Sequence, residues 1–287
     1  MKEVFSVAGE DGALILGGRR LGFAEYGDPG GLPVVFFHPT PGSRLDGAHT
    51  QPSPLRVIAV DRPGYGRSDP LPDRTLLQVA GDVARLADAL GLGSFAVAGI
   101  SGGGPHALAC AAALPGRVRC AAIVCGVGPL YEMHAKGLLE VGQAPPTDAE
   151  VAAQAAAVRE NAELIAQMGI AQSPAEDRRL FTPERVALWV RSVTEGTRVA
   201  DGMVSDYRAF TRPWGFEIAS IRVPVGLWYG DQDPVVPLAQ GRYLAQRLPR
   251  ATLTVMSGVG HLGAPLAALP EMTAFIRQGG CAPSDQT

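Results

Sequence analysis

Short apolar runs alternate with helically spaced apolar positions along the first half of the chain. Residues 34–38 (V-V-F-F-H) and 56–60 (R-V-I-A-V) are apolar at successive positions, so these predicted strands are expected to be buried on both faces. Val79, Val83, Leu86 and Leu90 then recur at helical spacing, which predicts a helix from about Thr75 that stops at Gly91 and Gly93. A strand F-A-V-A-G (95–99), a helix over about 103–113 and a strand A-A-I-V-C (121–125) follow. Strand and helix in turn imply right-handed crossovers and a mostly parallel sheet. Segments around 3–8, 13–16 and 20–26 read as antiparallel strands at its edge.

Beyond Gly128 the pattern changes, and only helical spacing is found as far as Trp214. Thr147 with Glu150, and Ser173 with Glu176, have the spacing of capping boxes, and Thr182-Pro183 sets a cap before a proline at the first helical position. A last helix there is expected to align Val199, Met203, Tyr207 and Phe210 on one face. The sheet pattern resumes with V-G-L-W-Y-G (225–230), a helix near 238–248, A-T-L-T-V-M (251–256) and a helix ending near Gly279. The expected fold class is α/β, with a core formed by residues 1–127 and 215–279 and a helical cap inserted over 128–214. Residues 280–287 are expected to be a disordered tail.

Composition narrows the function classes. Charged residues are 18 % of the 287, and net charge is −3 without a basic cluster, so nucleic acid is not an expected partner. No apolar run approaches the ~20 residues that span a bilayer, and acidic residues interrupt the start, so neither membrane association nor secretion is expected. The four cysteines, 110, 120, 125 and 281, lack C-x-x-C spacing; reduced thiols in a cytoplasmic protein fit them best. Cys110 and Cys125 read as small buried apolar side chains. A monomer or homodimer acting on a small molecule is the expected state.

The chemistry centres on G-I-S-G-G, Gly99 to Gly103, between a predicted strand and a predicted helix. A turn that tight presents Ser101 outward in a strained conformation and demands glycine two residues to either side. It also leaves the Gly102 amide at a helix N-terminus, where it can stabilise an oxyanion. A serine hydroxyl needs a base at neutral pH. Of the five histidines, His261 alone follows the last strand, in G-V-G-H-L-G. Y-G-D-Q-D-P-V-V-P (229–237) supplies an orienting carboxylate just after the preceding strand, as Asp231 or Asp233. The order Ser, Asp, His is that of the α/β hydrolases.

With these motifs the chain resembles the α/β-hydrolase fold family along nearly its whole length, the cap apart. F-H-P-T-P-G-S-R (37–44) resembles the family's oxyanion loop, and D-R-P-G-Y-G-R-S-D (61–69) the loop after the next strand. The resemblance implies an α/β-hydrolase fold and a catalytic triad Ser101, Asp233 and His261, because the family uses the second aspartate of G-D-x-D. It also implies an oxyanion hole formed by the amides of Thr40 and Gly102, although Pro39 stands where the family has glycine. The alternative acid position, after 121–125, holds Cys125 and no carboxylate.

The implied activity is hydrolysis of a small hydrophobic ester, thioester or lactone through an acyl-enzyme, with no metal or organic cofactor. Carbon–carbon hydrolysis of a diketone-like substrate, a lyase or cyclase, and a ligand receptor are alternatives on the same fold. A metal-free haloperoxidase side reaction is compatible with each. Proline iminopeptidase is set aside because position 102 is glycine, not tryptophan. Candidate pocket residues are His38, His106, Trp189, Met203, Tyr207 and Phe210, although a structural bond within its own loop is the simpler role for His38 and packing for the others. Asp61, Arg62 and Arg67 read as turn-holders; Arg44 and His49 could reach the pocket, but a surface-loop role is the simpler one for both.

Overall fold

Residues 4–5, 11–138 and 146–280 are described by a computed structural model. The apolar runs become strands β1 (Val4–Phe5), β2 (Asp11–Leu16), β3 (Arg19–Gly27), β4 (Leu32–Phe37), β5 (Leu55–Val60), β6 (Phe95–Ile100), β7 (Val118–Val124), β8 (Val225–Gly230) and β9 (Ala251–Met256). They form one nine-stranded sheet in the order β1-β2-β3-β5-β4-β6-β7-β8-β9. Strands β1 to β3 pair antiparallel, and β3 meets β5 antiparallel; every pairing from β5 to β9 is parallel. A two-residue turn closes the β2–β3 hairpin, with Gly17 and Gly18 both at positive φ, the conformation such a turn requires.

Successive residues of the central strands enter opposite cores, as strands buried on both faces must. Val35, Phe37, Ile58, Val97, Ile123 and Leu227 pack on one side. That side is covered by helices α1 (Leu76–Ala89) and α2 (Gly104–Ala113), with Leu244 added from a helix further along the chain. Phe36, Val57, Ala98, Ala122 and Trp228 pack on the other, against Met272, Phe275 and Ile276 near the C-terminus. Helix α1 begins at a capping box of Thr75 with Gln78, and Gly91 follows its end at φ 67°.

Between β7 and β8 the described chain is helical: α3 (Leu130–Ala135), α4 (Asp148–Glu160), α5 (Ala162–Gln172), α6 (Ala175–Arg178), α7 (Pro183–Gly196) and α8 (Asp201–Phe210). Two helices complete the core, α9 (Leu238–Arg247) and α10 (Ala264–Arg277). The Thr147–Glu150 box and the Thr182 cap with Pro183 form. Ser173 does not cap α6: it ends α5, its hydroxyl donates to the Gly169 carbonyl (2.8 Å), and Pro174 holds the cap position. Val199 precedes α8 and is exposed, so it does not continue the face of Met203 and Phe210. The predicted tail lies outside the described residues except Gly280. No described helix is long and apolar enough to cross a membrane.

Candidate active site

Parallel pairing from β5 to β9 puts the carboxyl ends of β4, β6, β7, β8 and β9 on one edge, where ligand sites of open α/β sheets form. Ser101 follows β6 directly, at φ 52°, a conformation L-residues rarely adopt. The flanking glycines are forced by backbone. A Cβ on Gly99 would sit 2.4 Å from the Gly103 carbonyl oxygen, and one on Gly103 2.3 Å from that of Phe37.

The three predicted triad residues are brought together. His261 Nε2 lies 3.1 Å from Ser101 Oγ, and its Nδ1 lies 2.7 Å from Asp233 Oδ2. The other oxygen of Asp233 accepts the amides of Val235 and Val236, each at 2.8 Å. A carboxylate only accepts, so Nδ1 carries the proton, and in the neutral ring Nε2 is free to accept from the serine hydroxyl. Asp231 instead accepts the Gly258 amide (2.8 Å), a loop-capping bond. Cys125 directly follows β7 at φ 40°, buried beside His261. Burial disfavours a charged His261, but Cys125 and Asp233 favour it more, and its pKa is pushed up to about 10. Ligating atoms of Cys125, Asp233 and His261 lie within 4.8 Å of one another, yet both nitrogens of His261 are engaged in the bonds just described.

Thr40 and Gly102 face each other closely: a Cβ on Gly102 would meet Thr40 Oγ1 at 2.2 Å and the Phe210 ring at 2.9 Å. The Thr40 loop is held from below by Arg62, whose guanidinium donates to the carbonyls of His38 and Pro39 and to Thr40 Oγ1. Arg62 is thus more than a turn-holder. Asp61 keeps that role, accepting the amides of Arg44 (2.6 Å) and Arg67 (2.9 Å).

A largely apolar cavity with about 890 Å³ of empty space, partly open to solvent, adjoins His261. Phe36, Ile100, Ile170, Trp189, Leu266 and Met272 are among its walls. Of the predicted pocket residues, Trp189 lines it; His38, His106, Met203, Tyr207 and Phe210 do not. His38 is fully buried, donating from Nδ1 to the Pro39 carbonyl (2.7 Å) and accepting the Arg62 amide (3.3 Å). Burial and Arg62 hold it well below the ordinary histidine pKa. His106 is buried on α2 and donates from Nε2 to Asp206 (3.1 Å). Met203 packs with Tyr65, Val151 and Ala155; Tyr207 reaches Gln154, and Phe210 is buried against Gly102.

Two surface-loop expectations are corrected. Arg44 is 1 % exposed and ion-pairs with Asp11, Asp61 and Glu195. His49 lines the cavity, and burial together with Arg185 pushes its pKa down to about 4, so it is neutral near pH 7. Sequence reasoning missed Asp206, a fully buried carboxylate on α8, because its partners lie 100 or more residues away.

Comparison with known proteins agrees with this architecture. The family profile for the alpha/beta hydrolase fold matches residues 33–267. A non-heme chloroperoxidase of Streptomyces lividans is 31 % identical over 275 residues, covering 91 % of this chain and 97 % of its own. A thermophilic esterase from Thermogutta terrifontis superposes with a TM-score of 0.67 at 22 % identity, over 92 % of this chain and 95 % of that one. An enol-lactonase from Burkholderia xenovorans LB400 superposes at 0.70 and 21 % identity, over 93 % and 98 %. With a profile match across most of its length and a full-length relative above 30 % identity, the chain belongs to the α/β-hydrolase fold family of enzymes.

Proposed function

We propose that the protein is a serine hydrolase that cleaves a small hydrophobic ester or lactone through Ser101, His261 and Asp233. The observation that carries this reading is the continuous chain Ser101 Oγ–His261 Nε2–Nδ1–Asp233 Oδ2, beginning at a strained serine. Ser101 attacks the carbonyl carbon as His261 Nε2 takes its proton. The carbonyl oxygen, now negative, is stabilised by the amides of Thr40 and Gly102. The imidazolium gives its proton to the leaving alkoxide, and the C–O bond breaks to leave an acyl-serine. Water then loses a proton to His261 and attacks the acyl carbon; the acyl C–Oγ bond breaks as the imidazolium returns that proton to Ser101 Oγ, which frees the acid.

The neighbouring cavity supports an apolar acyl or alcohol group, since its wall offers more hydrocarbon than hydrogen-bonding partners. The helices between β7 and β8 act in this reading as a cap, with Trp189 of α7 reaching the cavity. An esterase and an enol-lactonase among structures of the same fold are consistent with carbonyl–oxygen bond cleavage.

The test is intact-protein mass spectrometry after treatment with a fluorophosphonate. One adduct on the native protein, absent from Ser101→Ala, is expected, together with burst release from p-nitrophenyl esters. An unlabelled native protein overturns the acyl-enzyme reading in favour of a lyase or a receptor.

A further inference from the structure

A fully buried carboxylate at the base of the inserted helices has no part in the proton transfers above. Asp206, on α8, gathers five side chains. Oδ2 accepts from Thr40 Oγ1 (2.6 Å), Arg62 Nη2 (2.7 Å) and Tyr65 Oη (2.7 Å). Oδ1 accepts from Arg74 Nη2 (2.7 Å) and His106 Nε2 (3.1 Å). These partners come from the loops after β4 and β5, the approach to α1, and α2. The side chains of Asp206, Arg62, Arg74 and His106 are all 0 % exposed.

We infer that Asp206 is a positioning residue for the oxyanion hole, through which the inserted helices set the Thr40 donor. The inference rests on the proposed acyl-transfer chemistry and names what makes its oxyanion site work. Thr40 follows Pro39, which lacks an amide hydrogen, so the loop has fewer backbone bonds with which to fix itself. Its fixation comes from two side chains instead. Arg62 takes the carbonyls of His38 and Pro39, and Asp206 takes the Thr40 hydroxyl; the two are bonded to each other. One turn further along α8, Phe210 covers Gly102, the other proposed donor. One face of one helix thereby touches both halves of the hole.

The charge balance separates positioning from electrostatics. Two buried guanidiniums share this one carboxylate, and they hold it ionised, well below the ordinary carboxylate range, against the effect of burial. His106 is neutral, with its pKa pushed down to about 4 by burial. Neutralising Asp206 therefore makes the surroundings of Thr40 more positive, which by itself favours an oxyanion. A fall in turnover on removing that charge reports lost position.

The experiment compares Asp206→Asn, Thr40→Val and Thr40→Ser by p-nitrophenyl ester kinetics, with active sites counted by burst amplitude. Thr40→Val keeps the backbone amide and loses both bonds of the hydroxyl, the one it donates to Asp206 and the one it accepts from Arg62. Expected is a fall in kcat of about 10–100-fold in Thr40→Val, the scale of a donor displaced by an ångström or less, with KM near native. Affinity for an alkyl boronic acid, which forms a tetrahedral adduct, should fall in parallel, and Thr40→Ser should restore both. Asp206→Asn should match Thr40→Val where it folds; where it does not, Thr40→Val decides. Native kcat in a folded Thr40→Val, or in a folded Asp206→Asn, overturns the proposal. Ser101→Ala is run alongside: native turnover there brings down the triad reading and this inference with it.

Discussion

Asp233 divides its two oxygens between the amides of Val235 and Val236 and the imidazole of His261. An asparagine can keep the amide bonds through its carbonyl oxygen but presents N–H to the histidine, which must then adopt the other tautomer. Asp233→Asn is accordingly expected to melt near the native temperature and lose about 10⁴-fold in kcat, the scale of such a tautomer error; native turnover in that variant moves the acid elsewhere. In the proposed mechanism His261 acts only when neutral, and its pKa lies above the ordinary 6.5 of histidine. The kcat/KM for an uncharged ester should therefore rise with pH to a midpoint above 6.5, and Cys125→Ala should lower that midpoint. A native midpoint at or below 6.5 contradicts this. Residues with a local signature were readable in advance. Ser101 sits in a five-residue turn motif, and His261 and the Asp231–Asp233 pair each follow a strand. The partners of His106 and Arg44 were not, because they are set by tertiary folding: His106 and Asp206 are 100 positions apart, and Arg44 and Glu195 are 151.

Elements were legible where both ends carried their own chemistry. Helix α1 has a capping box at one end and a positive-φ glycine past the other. Thr75→Ala should cost about 1 kcal/mol, the usual value of a lost cap, and lower the melting temperature by roughly 2–4 °C, as thermal denaturation will show. The Ser173–Glu176 pattern misled because the same serine also ended the preceding helix, and its hydroxyl went back to Gly169. Spacing alone does not tell a cap from a stop when two helices are nearly contiguous. At the elbow the constraint is backbone on backbone. Gly103→Ala would push a methyl group to 2.3 Å from the Phe37 carbonyl. Lower thermal stability and loss of fluorophosphonate labelling are expected together; an alanine variant that labels like the native protein would show that the turn can relax.

For the whole molecule, the alternation of strand and helix was enough to anticipate a mostly parallel sheet with antiparallel strands at one edge, since each crossover follows from chain connectivity. Which helical residues face substrate was not, because amphipathic spacing distinguishes buried from exposed but not core from cavity. Met203 and Trp189 look equivalent along the sequence, and only Trp189 reaches the cavity. Trp189→Ala should shift the preferred p-nitrophenyl ester toward longer acyl chains; an unchanged chain-length profile would put the acyl group elsewhere. The clasp at Asp206 bears on how such an enzyme can be remodelled. Helices inserted between two strands look like an exchangeable module, one whose replacement would alter selectivity and spare the chemistry. Here a graft that brings no carboxylate to that position would bury two unmatched guanidiniums beneath the Thr40 loop. Chimeras should fail as catalysts before they fail to bind, unless that single acidic residue travels with the graft.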